Sequence, residues 1–114
     1  MNFYITESIP KENTTVLAIE GRLNAVTVAQ LKTRMKELVG SDTLHIILDL
    51  AGMTFIDSSG LSAIVSGLKT TGEKGGSLKL VGLSDNTMSI FELTRLARVF
   101  DFYANVDEAL ATII

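Results

Sequence analysis

The chain has 114 residues, of which 46% are hydrophobic and 20% are charged, and it contains no cysteine. This length and composition predict one folded domain, residues 1–114, around one core, and they exclude disulfide frameworks, thiolate nucleophiles and cysteine-based metal sites. Ten basic and thirteen acidic residues leave a net charge of -3 without a dense basic cluster, so neither nucleic acid nor an anionic membrane surface is expected as a partner.

The first part of the chain predicts two strands and a helix. Residues 3–9 and 15–20 have the composition of strands, and the proline and asparagine within residues 10–13 favour a turn, which predicts an antiparallel pair. Over residues 26–39 the apolar positions recur at helical spacing, and this helix is expected to end near Gly40. Its buried face is expected to contain Val28, Leu31, Met35 and Leu38.

The middle of the chain predicts a central strand followed by a second helix. Residues 44–50 are nearly all apolar, as expected of a strand that is covered on both faces. A turn at residues 57–60 leads into a helical pattern that the glycines of residues 72–76 bring to an end. The buried face of this helix is expected to contain Leu61, Ile64, Val65 and Leu68.

The last part predicts a strand at residues 77–81, a third helix at 86–97 and a short strand at 99–103. Asn105 and Glu108 have the spacing of a capping box and predict the start of a terminal helix. The third helix is expected to be buried through Met88, Phe91 and either Leu93 or Leu96. This alternation predicts an α/β fold with a mixed, mostly parallel central sheet of four to five strands and about four helices.

The first candidates for a functional site are the four residues Asp57, Ser58, Ser59 and Gly60, which follow the central strand. In open α/β sheets, ligands gather beyond the carboxyl ends of strands. Ser58 or Ser59 could equally cap the next helix by accepting a backbone N–H hydrogen bond, and Gly60 allows a close turn. From the local pattern alone, a structural cap and a functional site both remain open.

Five short segments, taken in order, resemble one known family. They are residues 21–24 (GRLN), 47–50 (ILDL), 55–61 (FIDSSGL), 90–94 (IFELT) and 107–110 (DEAL). They resemble the signature of STAS domains, in particular of bacterial anti-sigma factor antagonists, and the resemblance extends over nearly the whole chain. The FIDSSGL segment is the most informative of them, because it stands between an apolar strand and an apolar helix.

The resemblance implies a partner-switching protein rather than an enzyme, with no cofactor and no metal. The unphosphorylated form would bind an anti-sigma factor that is also a serine kinase, and would thereby regulate sigma-factor-dependent transcription. Phosphorylation would end the interaction, and a serine phosphatase would restore it. The phosphorylated residue of the family corresponds to Ser58. The implied partner-binding residues are Asn24, Asp57, Ser58, Ser59, Gly60, Leu61 and Ser62.

Two residues depart from the family pattern. Asn24 stands where the family commonly has Asp, which removes a negative charge near Ser58 and puts kinase recognition in doubt; Asn is also a strong N-cap for the helix that follows. Arg95 replaces a common glycine after the third helix, and it is expected to extend or re-cap that helix.

Three catalytic readings lack the residues that they need. A serine hydrolase would require a Gly-x-Ser-x-Gly elbow and a histidine base, but the one histidine, His45, begins a predicted buried strand and is expected to be structural. A phosphoacceptor Asp57 would need Mg²⁺ held by further carboxylates, and Glu20 alone is too little. The glycines around Lys74 lack the Gly-Lys-Ser/Thr of a nucleotide-binding loop.

One alternative within the family stays open: a STAS subunit of a membrane lipid-transport complex that is never phosphorylated. Either protein would use the Ser58 side of the domain, and the exposed side of the second helix, with Ser62, Ser66 and Lys69, is a candidate contact surface in both. The first residues lack a basic lead before an apolar run, and no segment reaches about 18 apolar residues, so a cytoplasmic protein without a membrane span is expected.

Overall fold

A computed structural model describes residues 2–113, and within this range five strands form one sheet in the order β1-β2-β3-β4-β5. The first pair of strands is antiparallel, and the later neighbours are parallel. The elements in chain order are β1 (Tyr4–Lys11), β2 (Thr14–Leu23), α1 (Val28–Val39), β3 (His45–Ile56), α2 (Ser58–Glu73), β4 (Ser77–Val81), α3 (Asp85–Leu93), a 3-10 helix (Leu96–Arg98), β5 (Asp101–Tyr103) and α4 (Val106–Leu110). The predicted mixed, mostly parallel α/β sheet is confirmed.

Strand β3 lies at the centre of the sheet and is covered on both faces. Successive side chains of a strand point to opposite faces, and Ile46, Ile47 and Leu48 are all inaccessible to solvent. Ile46 and Leu48 belong to the larger core cluster, with residues of α1, α2 and α3. Ile47 belongs to a smaller cluster that includes Ala109 of α4. The predicted central strand is therefore confirmed.

Three phenylalanines join the third helix to the last strand. Phe91 is fully buried, and its ring centroid lies 5.6 Å from those of Phe100 and Phe102, both in edge-to-face geometry. Each such pair contributes about 0.5–1.5 kcal/mol beyond the burial of its area. This cluster fixes the segment between α3 and β5 against the sheet.

Several strand boundaries differ from the sequence prediction: β2 runs to Leu23 rather than to residue 20, β5 begins at Asp101 rather than at residue 99, and the ends of β1 and β3 also differ. Pro10 and Lys11 belong to β1 rather than to the turn, because the β1–β2 register shifts between Ser8 and Lys11 and an edge strand tolerates a proline at such an irregularity. The turn is Glu12–Asn13, with Asn13 at φ 61°. Strand β3 continues to residue 56, because its ladder with β2 also continues past residue 50.

The second helix buries its small residues rather than the predicted stripe of large ones. Its buried positions are Gly60, Ala63, Ile64, Gly67 and Thr71, whereas Val65 is 37% exposed and Leu61 and Leu68 are half-buried. The close approach explains this rotation of the helix: a Cβ at Gly67 would lie 2.8 Å from the Met35 Sδ. Of the predicted stripe, only Ile64 is fully buried.

The third helix ends four residues earlier than predicted. It stops at Leu93, and Arg95 then takes a left-handed conformation with φ 66°. Of the two predicted roles, Arg95 therefore re-caps the helix, in the backbone conformation that a glycine would adopt there, and does not extend it. The sequence left open whether Leu93 or Leu96 is buried. Leu93 is 84% exposed, and Leu96 packs against the core.

Within the described part of the chain, no helix combines the length and the apolar character that crossing a bilayer requires.

Candidate functional site

The candidate site lies where strands β2 and β3 end side by side. These strands are parallel neighbours, and Leu23 pairs with Ile56 at their carboxyl ends. The backbone N–H of Asp57 donates to the Leu23 carbonyl at 3.2 Å. Because Asn24 and Asp57 directly follow the paired residues, the structure brings them together at the carboxyl ends of the two strands.

Asp57 connects the segments that follow β2 and β3 through both oxygens of its carboxylate. It is the N-cap of α2, with extended backbone angles, and its Oδ1 accepts a hydrogen bond from the Gly60 N–H at 3.0 Å. Its Oδ2 accepts a hydrogen bond from the Ala25 N–H at 3.2 Å. The prediction that Ser58 or Ser59 caps the helix is therefore wrong, because both serines already lie inside the helix.

Ser58 is the first residue of α2 and is exposed to solvent. Among residues 2–113, no side chain or backbone group hydrogen-bonds its hydroxyl, because Asp57 supplies the cap. The N–H groups of Ser58 and Ser59 belong to the first turn, where helical N–H groups have no intrahelical acceptor and the helix dipole is positive. Ser58 thus presents an accessible hydroxyl at the positive end of a sixteen-residue helix.

Asn24 organises the turn that precedes α1. Its Oδ1 accepts hydrogen bonds from the N–H groups of Val26 and Thr27 at 3.0 and 3.1 Å. The regular helix begins at Val28, and Thr27, the residue before it, makes no side-chain capping hydrogen bond. Asn24 supplies the capping bonds one turn earlier, and its carbonyl also accepts the Val28 N–H at 2.8 Å, so the predicted capping role of Asn24 is confirmed. An aspartate has the same oxygen at this position, so the Asn keeps the turn and removes one negative charge.

Gly60 allows α2 to begin directly against the ends of the two strands. A Cβ at this position would lie 2.8 Å from the Ile56 Cγ1 and 3.0 Å from the Leu23 carbonyl oxygen. Leu61 is half-buried and Ser62 is exposed on the same first turns of the helix. All seven predicted site residues therefore come together, while their role in binding a partner stays a prediction.

An open groove of about 500 Å³ runs along α2 from Ser58. The three polar residues predicted as a contact surface on this helix all line it. Within residues 2–113 the lining consists of Ser58, Leu61, Ser62, Val65, Ser66, Lys69 and Leu96. Val65 and Leu96 were not predicted as groove residues, because apolar side chains at helical spacing indicate a core rather than a surface.

A second feature that the sequence analysis missed is a stacked pair beside the site. The Arg22 guanidinium lies 4.1 Å from the centroid of the Phe55 ring, and the two residues are paired across β2 and β3. This pair could have been recognised in the sequence, because Arg22 and Phe55 stand two residues before Asn24 and Asp57, respectively.

His45 lies at the opposite end of β3 from Ser58. Its Nδ1 is 2.8 Å from the Ser77 Oγ, so the prediction of a structural histidine with a hydrogen-bonded ring nitrogen is confirmed. Burial, and then the positive charges of Lys79 and Lys11, lower the pKa of the imidazole below its usual value. In residues 2–113 no three His, Cys, Asp or Glu side chains are grouped as a metal site would require.

Comparison with known proteins gives one consistent family. The model of the STAS domain matches residues 5–109. The anti-sigma-B factor antagonist of Bacillus subtilis is 30% identical over 95 residues, which cover 82% of this chain and 84% of that protein.

Solved structures have the same fold. An anti-sigma factor antagonist from Mycobacterium paratuberculosis superposes with a TM-score of 0.87 at 21% identity, covering 98% of this chain and 94% of that one. The Bacillus protein SpoIIAA in its phosphorylated form superposes with a TM-score of 0.78 at 19% identity, covering 97% and 100%. At these identities the likeness establishes the fold alone.

Proposed function

Because the chain belongs to the STAS-domain family, we propose that it is an anti-sigma factor antagonist controlled by phosphorylation of Ser58. In the unphosphorylated form it binds an anti-sigma factor that is also a serine kinase, and it thereby frees a sigma factor for transcription. A serine phosphatase of the same pathway restores the binding form. The protein itself performs no catalysis, and the regulatory role is supported by its Bacillus subtilis relative, which is an anti-sigma-B factor antagonist.

This proposal rests on the different roles of Asp57, which caps the helix, and Ser58, which is left exposed. Asp57 caps α2, so the exposed hydroxyl of Ser58 is not needed to hold the helix. A kinase can therefore modify Ser58 without removing a hydrogen bond from the fold. If Ser58 had been the cap, phosphorylation would have replaced a structural contact.

The position also tolerates the added charge. A phosphate brings about -1.5 to -2 charges and three acceptor oxygens, and the free N–H groups and positive dipole of a helix N-terminus favour an anion. The fold of SpoIIAA, which this chain shares, has been solved in a phosphorylated form. We therefore expect the modified domain to stay folded.

The partner surface does not tolerate the charge as well. A surface that fits a neutral hydroxyl would have to desolvate the phosphate together with the neighbouring Asp57 carboxylate, and an unpaired buried charge costs several kcal/mol. About 1.4 kcal/mol already changes an affinity tenfold. Phosphorylation of Ser58 thus releases the partner by charge and desolvation, without unfolding the domain.

Mass spectrometry of the phosphorylated chain tests the assignment. The protein is incubated with ATP and an anti-sigma factor serine kinase from the same organism, and the peptide containing residues 57–61 is sequenced. Phosphate is expected on Ser58 in the parent and in Ser59→Ala, and absent from that peptide in Ser58→Ala. A phosphate on Ser59, or no phosphate in the parent, would overturn the proposal.

A further inference from the structure

The groove beside Ser58 extends well beyond the serine itself. Ser58 and Lys69 both line it and are eleven positions apart in α2, which corresponds to about 16 Å along the helix axis. Between these polar ends the lining is largely apolar, from Leu61, Val65 and Leu96. The groove therefore has room for a contact of about three helical turns.

The early end of α3 gives the groove one of its walls. Arg95, in its left-handed conformation, separates α3 from the 3-10 helix that carries Leu96. Leu93 and Val99, three residues before and after Leu96, are 84% and 54% exposed. Apolar exposure gathered in one segment, rather than scattered singly, is typical of an interaction surface.

The charged side chain that lines the groove is a cation, Lys69. Lys69 is exposed, and within residues 2–113 no carboxylate forms an ion pair with it. None of the seven lining residues is acidic. The groove thus has a cation at one end, the neutral hydroxyl of Ser58 at the other, and between them apolar side chains together with the hydroxyls of Ser62 and Ser66.

We propose that this groove receives an amphipathic helix of the anti-sigma factor. Apolar side chains of that helix pack against Leu61, Val65 and Leu96, and a carboxylate at one end pairs with Lys69. A helix fits better than an extended strand, because both walls of the groove are helical and offer no open ladder of backbone groups for a strand to join. This inference rests on the proposed function, because Ser58 forms one end of the groove.

Because the groove is long, the effect of Lys69 on affinity for the partner should be independent of the effect of phosphorylating Ser58. Charges that are exposed and more than about 8 Å apart are largely screened at physiological ionic strength, and Lys69 is farther than this from Ser58 along the helix. A change at Lys69 should therefore weaken the phosphorylated and the unphosphorylated form by about the same factor. The apolar contacts supply affinity, and Ser58 supplies the control.

Calorimetric titration with the kinase that phosphorylates Ser58, in the absence of ATP, tests the proposal. Leu96→Ser is expected to weaken binding about tenfold or more, as is typical of a truncated apolar anchor. Lys69→Glu is expected to weaken it about fivefold at low salt and less at high salt. The matched control is Lys36→Glu, because Lys36 lines a different cleft between α1 and α2; it should bind within about twofold of the parent.

The outcomes distinguish this inference from the proposed function. If the parent is phosphorylated on Ser58 and binds the kinase, but Leu96→Ser and Lys69→Glu both bind as the parent does, the groove is not the docking site and the function stands. If the parent neither binds nor is phosphorylated, both proposals fail. Lys69 is exposed, so Lys69→Glu keeps the test valid if Leu96→Ser does not fold, as judged by circular dichroism.

Discussion

The Asp57 carboxylate accepts a hydrogen bond from the Gly60 N–H at 3.0 Å and thereby caps the helix that Ser58 begins. Its second oxygen accepts the Ala25 N–H at 3.2 Å and ties the loop after β2 to the same point. One side chain therefore holds both sides of the site, and the neighbouring serine is left accessible.

Asp57→Ala is expected to destabilise the protein by about 1–2 kcal/mol, because it removes an N-cap together with the bond to Ala25. Ser58→Ala should change the free energy of unfolding by less than about 0.5 kcal/mol, since the serine hydroxyl is exposed and forms no hydrogen bond within the described residues. Urea denaturation measures both. Equal losses in the two variants would mean that Ser58 shares the capping role.

Gly60→Ala is expected to cost about 1–3 kcal/mol, because its Cβ would lie 2.8 Å from the Ile56 Cγ1 and helix and strands would have to separate. Gly72 lies in the same helix, and a Cβ there would meet no atom within 4 Å. Gly72→Ala should therefore stabilise the protein by about 0.5–1 kcal/mol through helix propensity. Opposite signs in thermal unfolding are the expected result, and a neutral Gly60→Ala would show that the close approach is not required.

Arg95→Gly is expected to stabilise the protein by about 1 kcal/mol, because Arg95 has φ 66° and a left-handed conformation strains any residue with a Cβ. Arg98→Gly is the control. Arg98 ends the 3-10 helix without a positive φ, so glycine there adds only chain entropy to the unfolded state and should destabilise. The midpoints of urea unfolding compare the two, and a lower midpoint for Arg95→Gly would contradict the strain.

His45 predicts a dependence of stability on pH. The folded state lowers the pKa of the imidazole, first by burial and then through the charges of Lys79 and Lys11. The unfolded chain therefore binds a proton more readily, and stability is fully present above the unfolded pKa of about 6.5 and falls as pH drops towards the folded value. His45→Gln should remove this part of the loss between pH 7.5 and 5.5 in urea titrations. An unchanged loss would assign it to other groups.

Much of the fold was predictable because its strongest signals are local. Strand β4 matches its predicted bounds at residues 77–81, since an apolar run follows a glycine turn, and Phe91 was correctly placed in the core. The cap was not predictable in the same way. Asp57, Ser58 and Ser59 can all cap a helix, and only the extended backbone at Asp57 decides between them.

The groove was hidden for a related reason. Apolar spacing favoured a buried stripe on α2, but the helix packs through Gly60, Ala63 and Gly67, and this turns Val65 towards solvent. The left-handed Arg95 ends α3 early, which the residue type does not indicate. Tertiary packing and one unusual backbone conformation thus produced the surface that the sequence pattern could not predict.

The affinity of the anti-sigma factor for the two forms of the protein tests the central claim most directly. The unphosphorylated protein and the protein fully phosphorylated on Ser58 are each titrated into the anti-sigma factor, with thermal unfolding of both forms as the control for folding. We predict that phosphorylation weakens binding about tenfold or more while the domain stays folded. Equal affinities of the two folded forms would contradict the account.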